Sequence, residues 1–576
     1  MFGSPYVFVS TDDKRIIDAC RVLQSTGLEP RYADAQSNSC LFAPAKQDFP
    51  HYVSVINDQH DYSIREDVQR ALQKKSGSQG TDSLVSFAHA EQGRFVAKTD
   101  LFGIQHHYCY HSGRTFICSN NCFLVAKLAG ARLSEESLFD YLFFLSPNGD
   151  KSWFEGVRML RPDQAVVYDI ASGDCAFTEE TDLYDEMTAK PSDGLVGAIS
   201  DVYKKASTVL SGSRTLMSLS SGSDSRTILS GIVGSGMKVD VVSFGGESFL
   251  ETRNIRALAE ARGLKATIYD FTDLLSNWTE TFHTASLIGN GLLNPFRVHY
   301  GNYYRRLEGD ALFEGFVGSE FVKAEIAVGA AASNCHVAVI RDKLDVGQAI
   351  EHHLGFLPAA YKSRMKEYIT GKYRGVLQPV DSPAGKKEFA RYTLEAVPGR
   401  VFNPMHALAC ARLKLYMPFL SRRVLRALFQ SYGVVKYNSL RKDFPGPVKD
   451  LTPECLIVKH FDPQLYRSRL DRMVSFAEAL ELPLFVSDML RRSRGRLSRL
   501  TSRGLNRKQV DAQALRAAAG RFLQENSATM EEGAPWGRIE GIHMLSARCN
   551  VICLKQLMAM DLEHMVDTLL KASTRP

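Results

Sequence analysis

Residues 216–229 read LMSLSSGSDSRTIL. A run of strand formers ends there in small and polar residues, and an apolar-periodic helix, SRTILSGIVGSG, begins at once. Small side chains at a strand-to-helix corner let backbone N–H groups approach a phosphate, and the helix N-terminus adds partial positive charge. Asp224 inside the turn would repel a bare phosphate, so its chemical sense there is that of a Mg²⁺ ligand. A Ser-rich turn with an acid near a helix start is also a common, purely structural arrangement. The sequence lacks the Gly-Lys-Ser/Thr ending of a Walker loop and the Gly-x-Ser-x-Gly of a nucleophile elbow.

Outward from this corner, strand and helix patterns alternate from about residue 195. TLMSLS, VDVVSFGG, ATIYDF and DALFEGF read as buried strands, with helical stretches between the first three. That alternation predicts a parallel sheet with crossover helices. Residues 1–180 instead carry short β-type runs with turn signals, such as YVFVS, LVSFAHA, GRFVAKTD and HHYCYHSGRTFICSNN, which predict an antiparallel, hairpin-rich unit. Beyond about 340 the pattern is mostly helical. Two domains are expected, 1–190 and 191–576, because 576 residues exceed one ordinary core.

With 44% hydrophobic and 23% charged residues, the composition is that of a soluble globular protein. A formal charge of +6 is small for this length, so no nucleic-acid partner is expected. No apolar run approaches a membrane span, no signal peptide is visible, and a cytoplasmic location is expected. Eleven scattered cysteines read as reduced thiols; the two CxxxC pairs, Cys118/Cys122 and Cys549/Cys553, lack a second ligand pair. The stretch RRSRGRLSRLTSRGLNRK (491–508) is basic without an acid. It reads first as a solvated face and second as a contact for an anionic partner or peptide. His106, His107 and His111 read as structural rather than metal-binding.

SSGSDS resembles the Ser-Gly-Gly-x-Asp-Ser pyrophosphate loop of the asparagine synthetase-like ATP pyrophosphatases, with Ser221 in place of the first glycine. VVSFGG is similar to that family's adenine-holding strand, and ETRNIRALAEARGL to the helix after it. GFVGSE (315–320) lies where the family has Gly-x-Gly-x-Asp-Glu; Gly315 and Glu320 match, Val317 and Ser319 do not. Phe316 stands where relatives carry a substrate-facing Glu or Tyr. YMPFLSRRVLRAL resembles the Pro-Phe-Leu-Asp signature with Ser421 for Asp, and LTPECLIVKHF the region that supplies a phosphate-neutralising lysine. DLFGIQHHYCY and SWFEGVRMLRPDQAVVY resemble segments of the amino-terminal amidotransferase domain.

The resemblance implies an α/β protein with an amino-terminal, vestigial, Ntn-type glutaminase-like antiparallel β domain. A PP-loop, doubly wound parallel-sheet domain and a helical carboxy-terminal region follow. It implies binding of ATP and pyrophosphate by Ser220, Ser221, Gly222, Ser223, Asp224, Ser225, Val242, Ser243, Phe244 and Gly315. Mg²⁺ would be held by Asp224 and Glu320, with Glu314 as a substitute for the latter. Lys459 is the implied catalytic lysine, and Glu395 a candidate for orienting a catalytic group. The family's glutaminase nucleophile is an amino-terminal cysteine; residues 1–4 are Met-Phe-Gly-Ser and Cys20 is the first thiol, so no glutaminase activity is expected.

The implied activity is an AMP- and pyrophosphate-forming amide ligase that adenylates a carboxylate. Relatives with a dead amino-terminal domain close rings, which needs no ammonia channel because intramolecular attack reaches effective molarities of roughly 10⁵–10⁸ M. The expected reaction is lasso-peptide macrolactam formation, joining a peptide α-amine to an Asp or Glu side chain. The expected partners are a peptide or small amino-acid substrate and a leader peptidase or leader-binding protein. A β-lactam synthetase-like enzyme, an ammonia-dependent asparagine synthetase-like enzyme and a non-catalytic relative stand as alternatives.

Overall fold

A computed structural model describes residues 5–26, 28–34, 38–43, 52–60, 62–73, 82–178, 181–188, 194–220, 222–246, 249–318, 335–355, 357–379, 382–432, 451–468, 475–482, 486, 489–490, 493, 507–526 and 542–573. Ser221, Ser319, Glu320, Lys436, Lys442 and most of the basic stretch at 491–508 lie outside the described residues.

The amino-terminal half supplies eleven strands: β1 Val7–Ser10, β2 Glu29–Asp34, β3 Ser39–Ala43, β4 Tyr52–Ile56, β5 Leu84–Glu91, β6 Arg94–Lys98, β7 Tyr108–Ser112, β8 Thr115–Ser119, β9 Val157–Met159, β10 Ala165–Asp169 and β11 Cys175–Phe177. Five more follow: β12 Thr215–Ser218, β13 Asp240–Phe244, β14 Ala266–Tyr269, β15 Ala311–Phe313 and β16 Lys414–Tyr416. An antiparallel six-stranded sheet has the order β2-β3-β1-β8-β7-β9. A mixed ten-stranded sheet has the order β11-β10-β6-β5-β4-β16-β15-β12-β13-β14.

Alternation of inward and outward residues makes a sandwich of the amino-terminal strands. Tyr6, Phe8, Phe95, Phe116 and Tyr168 fill the space between sheets, with Phe8 stacked on Phe95 at 4.2 Å and Phe116 on Tyr168 at 4.4 Å. The histidines belong to this half's packing, as expected. His107 bonds the Tyr6 hydroxyl at 2.6 Å and Ser86 at 2.7 Å, and His106 bonds the Tyr108 hydroxyl at 2.8 Å. Burial drives both imidazoles down to about 3, so neither carries charge at neutral pH.

The inner parallel strands β12, β13 and β15 put their apolar runs in the core, while edge strand β14 is half-buried. Leu216, Met217, Val241, Ala311, Leu312 and Phe313 are all core residues. The two halves share the larger sheet: β16 pairs parallel with β4 through Leu415 and Ile56, and Asn57 bonds both the backbone N–H and the carbonyl of Met417. A mostly helical carboxy-terminal region follows, including Thr452–Phe461, Arg507–Glu525, Ile542–Ala559 and Leu562–Ser573. Among the described residues no helix is long and apolar enough to cross a membrane.

Candidate active site

Strand order decides where a ligand would bind. From β12 the chain moves outward to β13 and β14, then returns to the other side of β12 for β15 and β16. In open α/β sheets the crevice outside the carboxyl ends of strands at such a reversal is the ligand site. The segment after β12 is the serine-rich corner, and the segment after β15 begins Glu314-Gly315.

The corner is tied by its own side chains. The Ser225 hydroxyl donates to the Ser220 carbonyl at 3.1 Å and accepts the Ser220 N–H at 3.0 Å. The two hydroxyl oxygens lie 2.9 Å apart, and the Ser220 oxygen accepts the Gly222 N–H at 3.2 Å. One proton arrangement satisfies all four bonds, with Ser220 donating to Ser225. Both hydroxyls are thus engaged within the turn. The Ser223–Gly234 helix starts at Gly222 with no side-chain cap, and its first-turn N–H groups have no intrahelical partner. Ile228, Leu229 and Ile232 anchor the helix in the core.

Two glycines from the β15 segment close against this turn. A Cβ on Gly315 would sit 3.2 Å from the Ser225 nitrogen, and one on Gly318 only 2.5 Å from Asp224 Oδ1 and 2.9 Å from Phe419. Val317 between them has φ of +63°, a strained value for a β-branched side chain. This is a position where the family resemblance expects glycine, and the backbone is still the one glycine favours.

Glu314 is the acid of this edge. It is 5% exposed, accepts the Tyr304 hydroxyl at 3.3 Å, and bonds Ser218 at the end of β12, which also meets the Tyr303 hydroxyl at 3.3 Å. Burial raises the Glu314 carboxyl to about 8, because the apolar surroundings penalise the charged form more than these hydroxyls stabilise it. The folded state therefore keeps its proton between about pH 4.5 and 8 while the unfolded chain loses it, so this group's contribution declines as pH rises through that window. Glu314→Gln is expected to remove this decline. Its melting temperature should gain on the wild type between pH 5 and pH 8, an effect of up to about 4 kcal/mol; parallel profiles would refute the buried neutral acid.

Val242, Ser243 and Phe244, the residues the family resemblance implies on the adenine side, lie in β13. Val242 and Ser243 are buried in β13, with the Val242 carbonyl accepting the Leu219 N–H at 2.9 Å. The Phe244 ring packs on His299, Tyr300 and Tyr303 at 5.0, 5.5 and 5.1 Å. Phe316 lies against Tyr300, Phe402 and His406, so the edge has an aromatic wall.

Lys459 is not brought to this edge. It is exposed on the Thr452–Phe461 helix with its ammonium over the Tyr466 ring at 5.6 Å. Phe461 meets Gly234 at the far end of the loop's helix, and Asp462 pairs with Arg262 at 2.7 Å. Eleven residues at 1.5 Å each put Gly234 about 16 Å from Ser223, so Lys459 belongs to the opposite edge of the sheet. Glu395 is half-buried in an ion pair with Arg161 of the amino-terminal half at 3.0 Å, which makes it an interface residue. Arg226, two residues beyond Asp224, is 3% exposed.

Ser421, standing where the resemblance expects Asp, donates to Asp82 Oδ1 at 2.8 Å, and the same oxygen accepts the Arg423 N–H at 3.1 Å. A carboxylate is thus supplied at that helix start from a residue 339 positions away. Gly318, Tyr303, Tyr304 and Ser218 escaped sequence reasoning. The second glycine of GFVGSE and the acid ending the apolar run DALFE were the available signals.

A Mg·nucleotide fits the donors present. The uncapped helix start at Gly222 presents backbone N–H groups, and Asp224 in its first turn offers hard carboxylate oxygens. Mg²⁺ on a nucleotide takes most of its ligands from phosphate and water, so one or two carboxylates suffice. Among the described residues no cluster of three or more His, Cys, Asp or Glu offers an all-protein metal site.

No protein family and no curated protein matches the chain. Among solved structures, 46% of it is similar to the allosteric regulatory enzyme of purine biosynthesis, at 7% identity over 80% of that chain with a TM-score of 0.18. The same share is similar to the glutamine phosphoribosylpyrophosphate amidotransferase of B. subtilis complexed with ADP and GMP, at 8% identity, 65% of that chain and a TM-score of 0.16. Likenesses this weak bear on neither the fold nor the activity of this chain.

Proposed function

We propose that this protein is an ATP-dependent, AMP- and pyrophosphate-forming amide ligase of the asparagine synthetase-like kind that closes a ring within one substrate, a linear peptide. The observation that supports it is the tied Ser220–Ser225 corner, backed by Gly315 and Gly318 with Asp224 beside Gly318, at the reversal point of the parallel sheet.

In this reading the first-turn amides of the Ser223–Gly234 helix grip the phosphates that leave as pyrophosphate. Asp224 would hold Mg²⁺, which neutralises phosphate charge when bound. The substrate carboxylate attacks the α-phosphorus and pyrophosphate departs; the amine then attacks the acyl carbon and AMP departs with the new amide left behind. The helix N-terminus takes the stabilising role that sequence gave to Lys459. The amino-terminal half would be a vestigial Ntn-type domain. In support, Cys20 lies within the Lys14–Ser25 helix and burial lifts its thiol to about 12, far from a working nucleophile. Its contacts, Arg161 with Glu395 and Asp82 with Ser421, give it a scaffolding role.

The test is mass spectrometry of linear peptides carrying a free α-amine and an internal Asp or Glu, incubated with the full chain and Mg·ATP. Loss of one water per AMP released is the expected result. Pyrophosphate release stimulated by aspartate and ammonium would replace ring closure with asparagine synthesis. The displacement of Lys459 favours a second reading, a non-catalytic relative, and absence of AMP with any peptide from folded protein would establish it.

A further inference from the structure

The crossover that feeds β15 carries one end of a helix to the candidate site. Strands β12 to β16 run parallel, and the helix His299–Arg306 lies just ahead of β15. Beyond its last residue, Asp310 accepts the Arg214 N–H at 2.9 Å, ahead of β12 at the amino edge of the sheet. In its first turn the Tyr300 ring meets Phe244 at 5.5 Å and Phe316 at 5.9 Å, both at carboxyl ends of strands. The helix therefore starts at the carboxyl edge, where the serine corner lies. Directly before that start is the short turn Pro295–Arg297, held by Asn294, whose side chain accepts the Phe296 N–H at 2.9 Å.

Arg297 brings fixed positive charge to the aromatic wall at this edge. Its guanidinium lies over the Phe402 ring at 4.9 Å, and Nη1 donates to the Val401 carbonyl at 3.3 Å and to Met405 Sδ at 3.7 Å. Phe402 and His406 both meet Phe316, at 5.3 and 5.5 Å, and Phe316 directly follows Gly315, which closes on Ser225. The guanidinium is thus two ring contacts from the corner's closing segment. Arg297 is half-buried, so salt and water screen its charge less than they screen an exposed one. Burial, and next the Arg297 charge, drive the neighbouring His406 imidazole down to about 3, so at neutral pH Arg297 carries the charge of this cluster.

We propose that Arg297 is a catalytic residue of this site, the group that grips the substrate carboxylate as it approaches the nucleotide; this rests on the ligase reading. A carboxylate nearing a triphosphate meets like charge, and a fixed cation on its own side offsets that repulsion. The phosphates are served at the serine corner by the helix start and Mg²⁺, so a cation set back on the aromatic wall falls to the other anion. The planar guanidinium can hold a carboxylate by two parallel N–H bonds, which fixes its orientation as well as its charge. Phe316, Tyr300 and Phe402 around it keep the contact partly dry, where it is stronger than in water.

Phenylglyoxal labelling of the full chain without ATP, read at each arginine by mass spectrometry, tests this. The probes, at millimolar excess and matched ionic strength, are N-acetyl-aspartate N′-methylamide and its asparagine counterpart. Arg297 is expected to be labelled, and the aspartate probe to slow its labelling several-fold where the asparagine probe does not. No labelling of Arg297, no protection, or equal protection by both probes would overturn the proposal. With a peptide that the wild type turns over, Arg297→Met should raise the KM for peptide about tenfold or more, the loss of one charge-assisted contact. Calorimetry should find its Mg·ATP affinity unchanged, and Arg297→Lys, which keeps the charge, should recover part of the KM. A merely structural role would lower both variants' melting temperatures and leave KM alone, and that result would also overturn the proposal. Labelling involves no AMP, so aspartate-specific protection beside a failed ligase assay leaves a carboxylate site at Arg297. Turnover without protection leaves the ligase and removes Arg297 from it.

Discussion

In Asp224→Asn, ATP-dependent AMP formation is expected to fall by roughly 10²–10³-fold, the scale of losing one charge-stabilising group from an active site. Asp224 is half-buried in the first turn of the Ser223–Gly234 helix, with Gly318 backed against its carboxylate. Asparagine has the same shape, so stability should change by no more than about 1 kcal/mol. The amide changes the charge facing the phosphates. A carboxylate repels a metal-free nucleotide, by about 1 kcal/mol at 4 Å even in water and more near a protein surface, whereas an amide does not. The variant should therefore bind ATP in EDTA at least as tightly as the wild type, and Mg²⁺ should no longer promote turnover. Isothermal titration with and without Mg²⁺, beside an AMP assay, separates the two effects. Wild-type turnover in Asp224→Asn would remove Asp224 from the metal site and the proposed chemistry from this corner.

Local pattern made the corner legible. Buried strand, small turn and apolar-periodic helix are all encoded near residues 215–236, and the structure has β12 followed by a helix from Ser223, two residues before the start at Ser225 that the pattern predicts. The antiparallel texture of the first half and the parallel alternation after 195 were equally local. What sequence could not report was pairing between distant segments. The junction of β4 with β16 rests on a single register pair, Leu415 with Ile56, and no periodicity announces it. Motif spacing likewise counts residues without saying which end of a helix faces the site. Lys459 fits a lysine pattern, yet Phe461 and Asp462 fasten its helix to the far edge through Gly234 and Arg262. Ser421 looked like the loss of a carboxylate, but Asp82 supplies one through space. Glu395 fits a catalytic pattern in sequence, and the fold pairs it with Arg161 of the amino-terminal half.

Gly318→Ala tests the same corner by shape rather than charge. The added methyl would lie 2.5 Å from Asp224 Oδ1, 2.9 Å from its Cγ and 2.9 Å from Phe419 Cε2. Something must move. Phe419 is fully buried within the core and Leu420 beside it is too, so displacing that ring costs more than turning a short carboxylate. The carboxylate therefore swings away, and AMP formation is expected to drop by about a hundredfold or more with Mg·ATP affinity, while the melting temperature falls by only a few degrees. Gly315→Ala should behave differently. Its methyl would press at 3.2–3.3 Å on the backbone nitrogen and Cα of Ser225, atoms that cannot rotate aside, so the helix start itself must shift and stability should suffer more than at Gly318. If Gly318→Ala turned over like the wild type while Gly315→Ala did not, the essential feature would be the backbone turn. Asp224 would then be an acid that merely sits beside it.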